Sequence, residues 1–115
     1  MGLSYILAND PRGLPVEFSD SRWNWIVSKH PDLLEYHVTE AHLKAAIENP
    51  SDGCIYESNK KYQDCNLYYT KYSSALQIRV VVRYVAGIGE ILTAHFLKER
   101  SSGESLVWMK GKSND

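Results

Sequence analysis

The chain has 115 residues, 43% of them hydrophobic and 23% charged, with a formal net charge of −1. That length suits one domain, expected over residues 1–115 and large enough for a core without a metal or a disulfide framework. The balance reads as soluble and globular, with no long apolar run for a membrane span and no basic-then-apolar start for export, so a cytoplasmic protein is expected.

The first segment, "SYILANDPRGLPVEF", is short apolar pieces broken by Asp10-Pro11, Gly13 and Pro15, and reads as mostly turn or edge segment. Ser19 and Asp20 are good N-caps for a helix running to about His30. In "RWNWIVSKHPDL" Trp23, Ile26 and Val27 fall at i, i+3 and i+4, and His30 continues the stripe at i+7. The residue before a proline avoids the helical region, so His30 should close the helix ahead of Pro31. "PDLLE" adds one turn, and Thr39 caps a second helix, "EAHLKAAIEN", with Leu43, Ala46 and Ile47 as its buried stripe.

After Gly53 tyrosines and β-branched residues dominate, as strands prefer. "CIYES", "NLYYTKY", "ALQIRVVVRYV", "EILTAHFLK" and "SLVWMK" read as strands, with turns near Asn59 and at "AGIG". Helices followed by short-linked strands predict an α+β fold: two N-terminal helices packed on an antiparallel sheet of four or five strands, one sheet face left open.

Alternation puts Leu76, Ile78, Val80, Val82 and Tyr84 on one face of the central strand and Arg79 and Arg83 on the other, about 13 Å apart. On the next strand Leu92, Ala94 and Phe96 form the natural core set, leaving Thr93 and His95 with the arginines on the open face. Guanidinium forks bind phosphate oxygens in two places, and histidine moves protons near neutral pH. Periodicity alone favours the plainer reading, an ordinary solvent-facing strand surface, with His30 a helix-end residue satisfying the last carbonyls.

Other chemistries have little support. His37 and His42 lack metal-ligand spacing, and no metal or cofactor is expected. No glycine-rich phosphate loop or serine elbow occurs. Cys54 and Cys65 are expected as reduced thiols, a disulfide between them being conceivable only across a tight hairpin. Charge is unevenly divided. Residues 1–58 carry −5 and residues 59–115 carry +4, so one basic face for a polyanion is possible.

Taken together, "WNWIVSKHPDL", "IENP", "NLYYTKY", "LQIRVVVRY" and "GEILTAHF" resemble the phage-associated nuclease-like domains of the barnase–EndoU–colicin–RelE superfamily, over about Trp23 to Phe96. The resemblance implies two helices on a four-stranded antiparallel sheet and metal-independent cleavage of RNA by transesterification, in a toxin or phage effector with an antitoxin or immunity protein as a further partner. It carries catalytic roles to His30, His95, Arg83 and Thr93, and substrate binding to Arg79 and Tyr69, with either arginine as the phosphate clamp. His95 stands where many relatives have tyrosine, and a net charge of −1 departs from the strongly basic balance of ribosome-dependent toxins. The alternative on the same scaffold is a non-catalytic module that binds RNA or protein. Oligomeric state is not legible.

Overall fold

Asp10, Pro11, Arg12 and Gly13 form a tight turn, closed by the Gly13 N–H donating to the Asp10 carbonyl at 2.8 Å. That turn makes the opening segment an antiparallel hairpin of β1 (Tyr5–Asn9) and β2 (Pro15–Phe18). The computed structural model describes residues 3–58, 62, 64–99 and 103–111. After the hairpin come α1 (Asp20–Lys29), the single turn α2 (Asp32–Glu35) and α3 (Glu40–Glu48). A 3-10 turn at Ser51–Gly53 leads into β3 (Cys54–Ser58), β4 (Cys65–Lys71), β5 (Gln77–Val85), β6 (Ile88–Leu97) and β7 (Glu104–Met109). The turn expected at Asn59 lies outside the described residues.

The architecture corrects the expected one. The strands form one seven-stranded sheet in the order β1-β2-β6-β5-β4-β3-β7, and it is mixed, because β2 pairs parallel to β6. It is therefore not two N-terminal helices on an antiparallel sheet of four or five strands. Among the described residues two strands precede the helices, and the α-helices number three. The physical reason is that the N-terminal hairpin is short and proline-bounded, so it has the punctuation of a loop. Its docking on β6 takes only two residue pairs, Val16 with Gly89 and Glu17 with Glu90. No local pattern announces a partner some seventy residues away.

Local rules set the helix ends. The Ser19 hydroxyl accepts from the Arg22 N–H at 3.1 Å as the cap of α1, and His30 ends that helix at φ −131° ahead of Pro31. Leu43, Ala46 and Ile47 of α3 are buried, together with Ile26, Leu33, Ile55, Tyr68, Ile78, Val80, Val82, Ile91 and Ala94, in the main core. The opposite sheet face, expected to be open, is not. It carries a second apolar cluster of Cys65, Leu67, Tyr69 and Val81, flanked by Tyr56, Tyr62, Leu92 and Leu97. Cys54 and Cys65 are both buried free thiols. None of the described helices is long and apolar enough to cross a membrane.

Candidate functional site

The register of the three central strands places the site. Tyr69 on β4 pairs with Arg79 on β5, and Arg79 pairs with His95 on β6. These three side chains stand in one row across the second face, a strand spacing of about 4.8 Å apart. The Arg79 Nε–H donates to His95 Nε2 at 2.9 Å. A guanidinium only donates. That nitrogen of His95 is therefore unprotonated, and a neutral His95 carries its proton on Nδ1.

Glu104 completes the row from an unexpected direction. In sheet order β7 lies three strands from β5, about 14 Å on a flat sheet. The sheet curls instead. The Tyr69 hydroxyl donates to both carboxylate oxygens of Glu104, at 2.7 and 2.6 Å, and Arg79 Nη1 lies 3.1 Å from Oε2 in an ion pair. The Glu104 side chain is 1% exposed. Burial first, and then the bond to Glu104, push the Tyr69 phenol well above its ordinary range, so it stays a donor.

His30 arrives along the helix. On the side away from β5, the pairing of β6 with β2 stops at Glu90, and α1 packs against β6. Arg22 Nη1 donates to the Leu92 carbonyl at 3.3 Å, tying the start of the helix to the strand edge. Eight residues of helix advance about 12 Å, and three residues of strand about 10 Å. His30 is therefore level with His95, and their ring centroids are 5.3 Å apart. The end of α1 does open onto the Arg-Thr-His face. Tyr62 stacks beside His95 at 6.4 Å, and the Arg79 guanidinium carbon is 5.4 Å from the Tyr62 ring centroid.

Of the residues singled out in the sequence, His30, Tyr69, Arg79, Thr93 and His95 share this face, but Arg83 stands apart. Arg83 pairs with Glu90, not with Thr93 or His95. It lines a separate cleft by the β5–β6 turn. Arg83 lies four residues along β5 from Arg79, about 13 Å, and a bulge only shifts its partner from Ile91 to Glu90. Val81 pairs with Thr93 but Val82 with Ile91, so Leu92 is the extra residue. The bulge gives Ile91 the core place expected for Leu92, and Leu92 packs in the second cluster instead. Arg79 is only 8% exposed and Thr93 7%, so neither is the open surface residue that alternation predicted. The Thr93 hydroxyl has no hydrogen-bond partner among the described residues.

The sequence reading did not place Glu104 or Tyr62 beside Arg79. Neither follows from local pattern, since both approach Arg79 by chain segments outside its hairpin. Among the described residues, no group of three His, Cys, Asp or Glu side chains is placed to hold a metal ion. Comparisons with protein-family models, with curated proteins and with solved structures each gave no match, so the functional argument rests on this geometry.

Proposed function

We propose that the chain is a small RNA-cleaving domain that works by transesterification, with His95 and His30 as its proton-transfer pair and Arg79 as its phosphate contact. The observation that carries this reading is two imidazoles 5.3 Å apart with a guanidinium bonded to one of them. A phosphate drawn to Arg79 competes for its N–H groups and frees the Nε2 lone pair of His95. That nitrogen takes the proton of the 2′-hydroxyl, whose oxygen attacks the adjacent phosphorus. Protonated His30 gives its proton to the departing 5′-oxygen. Arg79 offsets the charge that grows on the phosphate, and the Thr93 hydroxyl supplies a further donor. Glu104 and Tyr69 position Arg79 rather than touch the substrate.

Incubating RNA with the protein in the presence of a chelator tests this. Cleavage is expected, with 2′,3′-cyclic phosphate ends. His95→Ala or His30→Ala should each slow it at least about 100-fold, the usual contribution of a positioned acid or base. Intact RNA after exposure to folded wild-type protein would sink the proposal.

A second reading has its own support: Arg79 is nearly buried and already paired with Glu104. An arginine so committed suits a module that binds RNA or a protein without cleaving. Salt-sensitive RNA binding with no cleavage product is the result that selects this reading for RNA. An antitoxin or immunity protein belongs to either proposal as a further partner.

A further inference from the structure

Arg83 is displaced from the histidines, and the place it occupies has features of its own. It lines a cleft of about 560 Å³ between the start of α1, the end of β2 and the β5–β6 turn. Trp25 is 45% exposed there, and the Arg22 guanidinium carbon lies 5.1 Å from its ring centroid. The Arg83 side chain is exposed and makes no hydrogen bond or ion pair among the described residues. It points from the same side of β5 as Arg79, about 13 Å along the strand. That is roughly four nucleotides at the stacked spacing of 3.4 Å, and fewer when the strand is unstacked.

We infer that this cleft is a subsite for nucleotides flanking the cleaved bond, with Trp25 stacking a base and Arg83 pairing with a backbone phosphate. The inference rests on RNA being the ligand of the His30–His95 site and gives that ligand a path across the same sheet face. An aromatic ring beside arginines is the combination that holds single strands without reading sequence. The cleft also contains acids. Glu17 and Glu90 line it, and the Glu90 carboxylate is 3.5 Å from Arg22 Nη2. Glu90 therefore competes with a phosphate for Arg22 and limits affinity.

The test uses uncleavable 2′-O-methyl oligonucleotides, a dinucleotide and a hexanucleotide, titrated against the whole protein with tryptophan fluorescence and anisotropy as readouts. The hexanucleotide should bind at least about tenfold tighter than the dinucleotide and quench fluorescence on binding, a quench that Trp25→Ala removes. Arg83→Ala and Trp25→Ala should each weaken the hexanucleotide roughly five- to tenfold and bring the two lengths together. Glu90→Gln should tighten the hexanucleotide, since it releases Arg22. Equal affinity for the two lengths, or a hexanucleotide affinity indifferent to Arg83→Ala and Trp25→Ala, would overturn the subsite. RNA cleavage measured in parallel separates the two claims. Length-dependent, Arg83-dependent binding without cleavage keeps the subsite and removes the catalytic proposal. Cleavage without length dependence does the reverse, and a protein that neither binds nor cleaves RNA removes both.

Discussion

Burying a carboxylate costs several kcal/mol unless donors surround it, and Asp10 is surrounded. It is 3% exposed, and its Oδ2 accepts from Arg12 Nε at 2.8 Å, from the Tyr68 hydroxyl at 3.0 Å and from the Tyr84 hydroxyl at 3.2 Å. Its Oδ1 accepts from the Arg12 and Leu14 N–H groups at 2.9 and 3.0 Å. Burial pushes the carboxyl upward, but the hydrogen bonds from Arg12 and Leu14 and the Arg12 charge outweigh it and hold Asp10 below the ordinary carboxylate value. A depressed folded value means stability that is present above the unfolded value, about pH 4, and is lost as pH falls through the folded one. Asp10→Asn should lose about 3 kcal/mol at pH 7, as breaking a buried ion pair does. Its stability should then vary less with pH below about 4 than the wild type's. Urea denaturation of both proteins between pH 2.5 and 7 checks this, and parallel acid limbs would show that Asp10 is not the titrating group. The Tyr84 phenol, pushed up to about 12 mainly by burial, acts at the other end. It contributes stability below the unfolded value near 10, lost as pH rises through the folded one.

At the scale of elements, the β5–β6 hairpin decides which arginine meets which histidine. Its two-residue loop puts Ala86 at φ +53° and Gly87 at φ +81°, the backbone of a type I′ turn. Alanine is strained at such a φ, whereas asparagine tolerates it. Ala86→Asn should stabilise the protein by about 0.5–1 kcal/mol, read as a rise in Tm with no change in fold. Three residues on, Gly89 lies where β6 meets both β2 and Tyr84. A Cβ there would come within 2.7 Å of Val82 Cγ1 and 2.8 Å of Tyr84 Cε1. Gly89→Ala should therefore destabilise by about 1–3 kcal/mol, the usual effect of overpacking, and a Tm at or above the wild-type value would contradict that close approach. The Leu92 bulge is the other deciding feature. Without it, strict alternation would put Leu92 in the core and Ile91 on the second face.

Over the whole molecule, curvature matters more than composition. The curl of the sheet brings Glu104 from its outer strand onto Arg79. That contact neutralises one of the two arginines expected on the open face, and Glu90 stands opposite the other. The charge difference between the two halves of the sequence thus does not survive folding as a basic surface centred on Arg79. Glu104→Ala removes the carboxylate that pairs with a nearly buried guanidinium, and a loss of about 3–5 kcal/mol is expected. Chemical denaturation measures it. A loss below about 1 kcal/mol would mean that water reaches Arg79 readily and that the curled edge adds little.

The strands from β3 to β7 and the helix-ending His30-Pro31 were legible because their causes are local: β-branched and aromatic runs favour strands, caps and proline bound helices, and period-two alternation assigns faces. The same rules grouped Arg79, Thr93 and His95 and put His30 at the helix end, whereas a substrate-binding role for Tyr69 came from the family resemblance alone. They did not show that β1 and β2 are strands, because Pro15 and the Asp10–Gly13 turn read as loop and the stabilising partner, β6, is remote in sequence. Nor did they fix the register that sets Arg79, and not Arg83, opposite His95, or find Glu104, which needed the bend of the whole sheet. What this sequence determines by itself is therefore the elements from α1 to β7, whose causes are local, and most of the side chains each one presents. The tertiary structure alone decides which of those side chains meet, because register, bulges and sheet curvature arise from contacts between segments that no local pattern links.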